Sequence, residues 1–265
     1  MDLTGKTALI TGANRGIGRA LVERLAQLPL RSVLAGVRNV ESFEAINPAP
    51  GGAQEVRAVR IDLSSQTSIE ECCSGLGEEL RQIELLINNA GLMTGGLLEE
   101  QAIDEVYAMF QVNLVGVTHI TQRVLPGMLE RRQGTIVNNA SISGYAYFPA
   151  ASTYAAAKAG IVGFTESLRR ELRGTGVRAM HLVTPGVATD MLKATDEVYG
   201  RHMDTSGWDR IPPEEWATKV VSAIEADRRM LGPGGRSRLA MIAAQGPTFV
   251  LDAVTARLFS RRVRS

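Results

Sequence analysis

Apolar residues in this chain gather in short runs that stop at glycine or polar turns, and the segments between the runs carry an apolar residue every third or fourth position. Lys6–Thr11 (KTALIT) is an apolar run ending at a glycine cluster, which predicts a buried strand. Arg15–Leu28 has helical spacing through Ile17, Leu21, Leu25 and Leu28, and Pro29 stops it. Further strands are predicted at Arg31–Val37, Glu55–Ile61, Ile83–Ile87, Gly134–Asn138 and Gly176–Val183. Asp104–Arg132 is periodic enough for one long helix or two in series, and Ser152–Arg173 and Pro212–Arg229 are also helical. Strands that are apolar on both sides and alternate with helices predict an α/β fold, a doubly wound parallel sheet covered by helices on both faces. No internal linker interrupts the pattern, so 1–265 is taken as one domain. The segment 186–212 is irregular and follows a strand end, as a substrate lid would.

The chain has 265 residues, 45% hydrophobic and 22% charged, an ordinary balance for a globular protein with a sizeable core. Its only cysteines, Cys72 and Cys73, are adjacent and lack a nearby histidine cluster. That predicts no metal site and fits a reducing compartment. With no basic, apolar leader and no membrane-length apolar run, the expected location is cytoplasmic. The net charge of +1 is unevenly spread: from Arg228 onward eight arginines face one acid, Asp252. Apolar-faced helices are expected at 239–244 and 249–259 within a basic extension spanning 230–265. The alternatives for this tail are a peripheral contact with an anionic membrane, docking on an acidic carrier protein, or helices that close the substrate pocket or pack on a second subunit. Nucleic-acid binding is not expected, because the arginines lack aromatic partners and a reading element.

The first predicted strand runs into TGANRGIG, residues 11–18. Gly12, Gly16 and Gly18, with Asn14, Arg15 and Ile17 between them, form a strand-to-helix turn where backbone N–H groups and a helix N-terminus can receive a pyrophosphate. The spacing is G-x-x-x-G-x-G instead of the usual dinucleotide fingerprint. Val37 and Arg38 stand where an acid would select a ribose 2′-hydroxyl. Arg15 and Arg38 could clamp a 2′-phosphate, which favours NADP(H) over NAD(H). Asp62, beside Leu63, is placed to accept from an adenine amino group; its dull role is a turn.

Tyr154 and Lys158 in STYAAAKAG are four apart, on one helix face, and alone would read as a solvated pair. In their context, TGANRGIG, NNAG at 88–91, VNLVG around Asn113, Ser141, Tyr154-x-x-x-Lys158 and Pro185-Gly186 stand in the order that resembles the short-chain dehydrogenases/reductases. The resemblance covers residues 5 to about 190 and resumes near 212–229. It implies an NADP(H)-dependent oxidoreductase acting on a carbonyl or secondary alcohol, with Asn113, Ser141, Tyr154 and Lys158 as catalytic tetrad. It implies that Asn89, Ala90 and Gly91 line the cofactor, and that Pro185, Gly186, Val187 and Thr189 meet the nicotinamide end. Tyr154 would be the general acid/base, its pKa drawn down by the Lys158 ammonium and by an oxidised, positively charged nicotinamide. Ser141 would steady the oxyanion, and Asn113 would hold a water for a proton relay. The family resemblance also implies a homodimer or homotetramer.

The chain departs from the family pattern in three places. Ala157 replaces a common serine, Asn139 precedes Ser141 without an evident role, and no last strand with a glycine pair is visible near the end. The tail resembles those of members acting on retinoids, steroids or other lipids, which implies an apolar ketone or aldehyde. The alternatives are a 3-oxoacyl-carrier-protein-type reductase and a non-catalytic NADP(H)-sensing protein on the same fold.

Overall fold

The computed structural model describes residues 1–247, 249, 252–253, 255–256 and 259–262. Seven parallel strands form one sheet: β1 (Thr7–Thr11), β2 (Ser32–Val37), β3 (Glu55–Arg60), β4 (Ile83–Asn88), β5 (Gly134–Asn139), β6 (Val177–Leu182) and β7 (Met230–Leu231). Their order is β3-β2-β1-β4-β5-β6-β7, so the winding reverses between β1 and β4. In such a sheet, ligands bind outside the carboxyl ends of the strands at that reversal. β1, β2 and β4 are buried at every position, which is why they read as unbroken apolar runs.

Helices α1 (Gly16–Ala26), α2 (Gln66–Leu76), α3 (Glu78–Gln82), α4 (Ile103–Phe110), α5 (Gly116–Arg131), α6 (Ser152–Glu171), α7 (Asp190–Tyr199), α8 (Pro213–Glu225) and α9 (Gly235–Ala244) surround the sheet. Two hydrophobic clusters form its cores. One packs α1 and α8 through Leu21, Leu25, Trp216 and Val220, and the other packs α2, α5 and α6 through Ile69, Ile120, Val124 and Ile161. A polar chain crosses the second core. The Asn88 amide donates to Thr121 at 3.0 Å and to Asn138 at 2.8 Å, and Asn138 donates to Thr165 at 2.9 Å. Asn88 therefore joins β4 to β5 and α5, while Asn138 carries the chain on to α6.

Several local expectations change. Asp104–Arg132 is two helices in series, joined by a π-turn at Gln111–Val115. α2 and α3, between the third and fourth strands, are additional; their apolar positions are few and α3 is only five residues long. The irregular lid contains the ten-residue α7, whose start is fixed by Thr189 accepting from the Leu192 N–H at 3.4 Å. A last strand exists after all: β7 pairs with β6 over two residues, too short to leave a periodic signal. The first tail helix is α9, longer than the 239–244 expected, and the second expectation, 249–259, lies partly outside the described residues. Among the described residues, no helix is long and apolar enough to cross a membrane.

Candidate active site

A cavity of about 1100 Å³ opens at the carboxyl ends of the strands. It runs from the glycine turn past Tyr154 and Lys158 to α7 and α9. Of the residues singled out from the sequence, Gly12, Asn14, Arg15, Gly16, Ile17, Gly18, Arg38, Asp62, Leu63, Asn89, Ala90, Gly91, Ser141, Tyr154, Lys158, Pro185, Gly186, Val187 and Thr189 all line it. Asn113 lies just behind the wall.

At one end β1 passes into α1 through a turn that only small residues permit. Gly12 has φ +67°, and a Cβ there would stand 2.7 Å from the Ala90 Cα. A Cβ on Gly18 would stand 2.0 Å from the Gly12 carbonyl oxygen. Asn89 fastens the turn from the β4 side, its amide donating to the carbonyls of Thr11 at 3.1 Å and Gly12 at 3.3 Å. Arg15 occupies the N-cap of α1 in an extended conformation and caps nothing with its side chain, and no acid sits in the first turn. The first N–H groups of α1 therefore face the cavity without a side-chain partner, as an anion site requires. Arg15 and Arg38 are both exposed on the cavity rim, and neither pairs with a carboxylate among the described residues. Asn39 and Ser42 join them there, and Asn14 donates to the Ser42 hydroxyl at 3.2 Å. The polar NVES following Arg38 was the signal for this pair. Asp62 serves its turn, accepting from the Ser64 N–H at 2.9 Å and hydroxyl at 2.7 Å, while still facing the cavity. A pyrophosphate with a further phosphate fits this donor set: uncapped helix N–H groups, close backbone and two free guanidiniums.

α6 carries the reacting pair. Tyr154, Ala157, Lys158, Ile161, Thr165 and Leu168 form its buried stripe, so the helix is fixed from its first turn onward. Ala157 is fully buried, which accounts for a small side chain beside the lysine. The Lys158 Nζ lies 5.7 Å from the Tyr154 ring centre and donates to the Asn139 main-chain carbonyl at 2.9 Å. Asn139, the residue without an evident role, ties three strand ends together. Its amide donates to Asn89 at 3.1 Å, and it accepts from the Thr184 hydroxyl at 2.5 Å. Ser141 follows β5 and accepts from the Ser143 N–H at 3.1 Å, which leaves its own proton free to donate. The Asn113 amide is taken up by Leu92: it donates to the Leu92 carbonyl at 2.8 Å and accepts from its N–H at 2.8 Å. It thereby holds the segment after β4 in place. A Cβ on Gly91 would lie 3.2 Å from the Asn113 side-chain oxygen and 3.7 Å from Nζ of Lys158, so the two side chains meet at Gly91.

The electrostatics differ from the sequence expectation. Burial pushes the Tyr154 phenol up to about 12, and the Ser141 hydroxyl beside it acts the other way. Burial pushes the Lys158 ammonium down to about 8. In the protein alone, desolvation of Tyr154 therefore outweighs the hydrogen bond from Ser141.

Beyond Tyr154 the cavity gains large apolar side chains. Met93, Phe148, Tyr199 and Trp208 line it beside Thr195, Asp204 and Ser206, with α7 on one side and Ser237 and Ala240 of α9 on another. The Tyr199 hydroxyl is enclosed without a hydrogen-bond partner among the described residues. These residues were not singled out beforehand, because an apolar residue in an irregular segment carries no pattern.

Residues 6–200 match the family model described as short chain dehydrogenase, and the chain belongs to that oxidoreductase family. It is 35% identical over 198 residues to the 3-oxoacyl-acyl-carrier-protein reductase FabG of Vibrio cholerae, covering 74% of this chain and 80% of that protein. Two solved short-chain dehydrogenases are similar in structure. One, from Burkholderia cenocepacia in complex with NADP, has a TM-score of 0.79 and 28% identity, over 98% of this chain and 100% of that one. The other, from Burkholderia phymatum in complex with NAD, has a TM-score of 0.75 and 27% identity, over 92% of each chain.

Proposed function

We propose that the protein is an NADP(H)-dependent reductase of a ketone carried on an acyl-type chain, the 3-oxoacyl-carrier-protein class of substrate. The carrying observation is one continuous cavity with two free guanidiniums at one end, Tyr154, Lys158 and Ser141 midway, and an apolar chamber beyond. The similarity to the Vibrio cholerae reductase supports a 3-oxoacyl substrate over a retinoid or steroid. Both kinds of nicotinamide dinucleotide occur in the solved relatives, so the choice of NADP(H) rests on Arg15 and Arg38, whose charges suit a 2′-phosphate.

NADP(H), when bound, supplies or takes up the hydride. The chain's own groups do the rest. Tyr154 gives its hydroxyl proton to the carbonyl oxygen, and Ser141 donates a hydrogen bond to the same oxygen. Lys158, held by the Asn139 carbonyl, keeps a positive charge beside the phenol and orients the ribose hydroxyls. Asn113 pins Leu92 and so shapes the wall beside Lys158. Val187 and Thr189 orient the carboxamide end from the start of α7. Leu98, Ile103 and Tyr107 are exposed on and beside α4, which supports a homo-oligomer through that face.

The test is NADPH consumption with a 3-oxoacyl thioester and with an apolar ketone of equal length, for wild type and Tyr154→Phe. The reading expects faster turnover of the thioester and a loss of about 10²–10⁴-fold in kcat in the variant. Tight NADPH binding with wild type and variant equally inert on a broad carbonyl panel would favour the non-catalytic sensor instead.

A further inference from the structure

We infer that α9 seats the protein on an anionic lipid surface, with the apolar chamber of the cavity directly beneath the contact. The helix has two faces. On the inner face, Ser237 and Ala240 line the cavity, and the Ser237 hydroxyl bonds the Asp209 carboxylate. On the outer face Leu239 is 68% exposed and Ile242 55%, one turn apart, and Phe249 beyond the helix end is 68% exposed. Large apolar side chains this open, on a helix whose other face is occupied, need a cover.

Charge chooses the cover. Arg238 is exposed next to Leu239, on the side shared with Ile242, and pairs with no carboxylate among the described residues. Arg262 is exposed too, while Arg261 pairs with Glu99; Arg228 and Arg229, also exposed, precede β7 and lie away from this face. The stretch from Arg228 onward holds eight of the chain's arginines against one acid. A second copy meeting this face about a two-fold axis would bring two unpaired Arg238 side chains together, and like charges facing across an interface oppose binding. An acidic protein would satisfy the arginine, but it would also need an apolar patch matched to Leu239, Ile242 and Phe249. A bilayer with anionic headgroups satisfies both at once: headgroups meet the guanidiniums and the acyl boundary takes the apolar side chains. Seated so, α9 is both the contact and part of the chamber wall.

The experiment is co-sedimentation of the full chain with vesicles, which does not depend on turnover. Vesicles of phosphatidylcholine with about 30 mol% phosphatidylserine should bind the protein at least about tenfold more tightly than pure phosphatidylcholine. Salt at about 0.5 M should weaken that binding. The double variant Leu239→Glu, Ile242→Glu should abolish it with an unchanged melting temperature, and Arg238→Glu should weaken it. Equal or absent binding of the wild type to both vesicles overturns the inference. So does capture by an acidic carrier protein without vesicle binding, or a double variant that changes only the oligomeric state. NADPH consumption measured without vesicles reports on the proposed activity separately.

Discussion

Lys158 donates to the main-chain carbonyl of Asn139, whose side chain in turn spans Asn89 at the end of β4 and Thr184 just beyond β6. The position of the ammonium is thus set by the ends of three strands. Replacing Asn139 by Leu keeps the carbonyl but leaves the Thr184 hydroxyl and the Asn89 amide oxygen unpaired. The expected cost is about 1–3 kcal/mol in urea unfolding. Asn139→Asp retains the acceptor toward Thr184 and should recover part of it. A variant as stable as the wild type would show that the bridge does not matter.

Arg38 and Arg15 distinguish the two dinucleotides. Removing either should weaken NADPH binding by about ten- to a hundredfold, the worth of a charge-assisted contact. NADH binding should hardly change. Fluorescence titration of both cofactors against Arg15→Ala and Arg38→Ala measures the difference, and a wild type that prefers NADH refutes it.

Lys158 gives the pH dependence. Its folded pKa is about 8, below its ordinary value of 10.5, because burial disfavours the charge. Below about pH 8 the ammonium is charged and available to an anionic dinucleotide; above it, the unliganded protein holds the neutral amine. NADPH affinity should therefore fall as pH rises through about 8, and Lys158→Met should lack that step. For the fold the sign is opposite. Burying the charge costs stability below pH 8, and that cost is relieved as pH rises from about 8 toward 10.5. Comparing urea midpoints of wild type and Lys158→Met across this range separates the two effects.

Gly18 has no room for a methyl group. The added Cβ would meet the Gly12 carbonyl at 2.0 Å and the Asn89 amide nitrogen at 2.6 Å, and the first of these is backbone. Gly18→Ala should lose about 1–3 kcal/mol of stability and most NADPH affinity, since the turn must open to relieve the clash. Calorimetric titration of a variant that still folds tests the second part.

Six of the seven strands, and the positions along the cavity from Gly12 to Thr189, were legible in the sequence for a physical reason. Most of these strands are buried on both faces and write apolar runs, the partly exposed β3 excepted, and a glycine turn at a strand end is written in residue type. The two-residue β7 and the five-residue α3 are too short to show a period. Asn139 was visible but not interpretable, because its partners Asn89 and Thr184 are remote in sequence and meet only when β4, β5 and β6 align. The upward shift of Tyr154 in the protein alone was hidden for a related reason: a one-turn separation reveals the neighbouring charge but not the depth of burial. The apolar chamber of Met93, Phe148, Tyr199 and Trp208 left no pattern at all.

The buried stripe of α6 has one more consequence. Tyr154 and Lys158, with Ser141 and the glycine turn, all precede residue 160, whereas α7 and α9 come from 190 onward. The chamber, by contrast, is shared: Met93 and Phe148 come from the first stretch, and Tyr199, Trp208 and α9 from the second. The Thr184–Asn139 bond ties the two stretches together next to Lys158. A change in α7 or α9 that spares Thr184 reshapes the chamber while the helix that holds the reacting pair stays where it is.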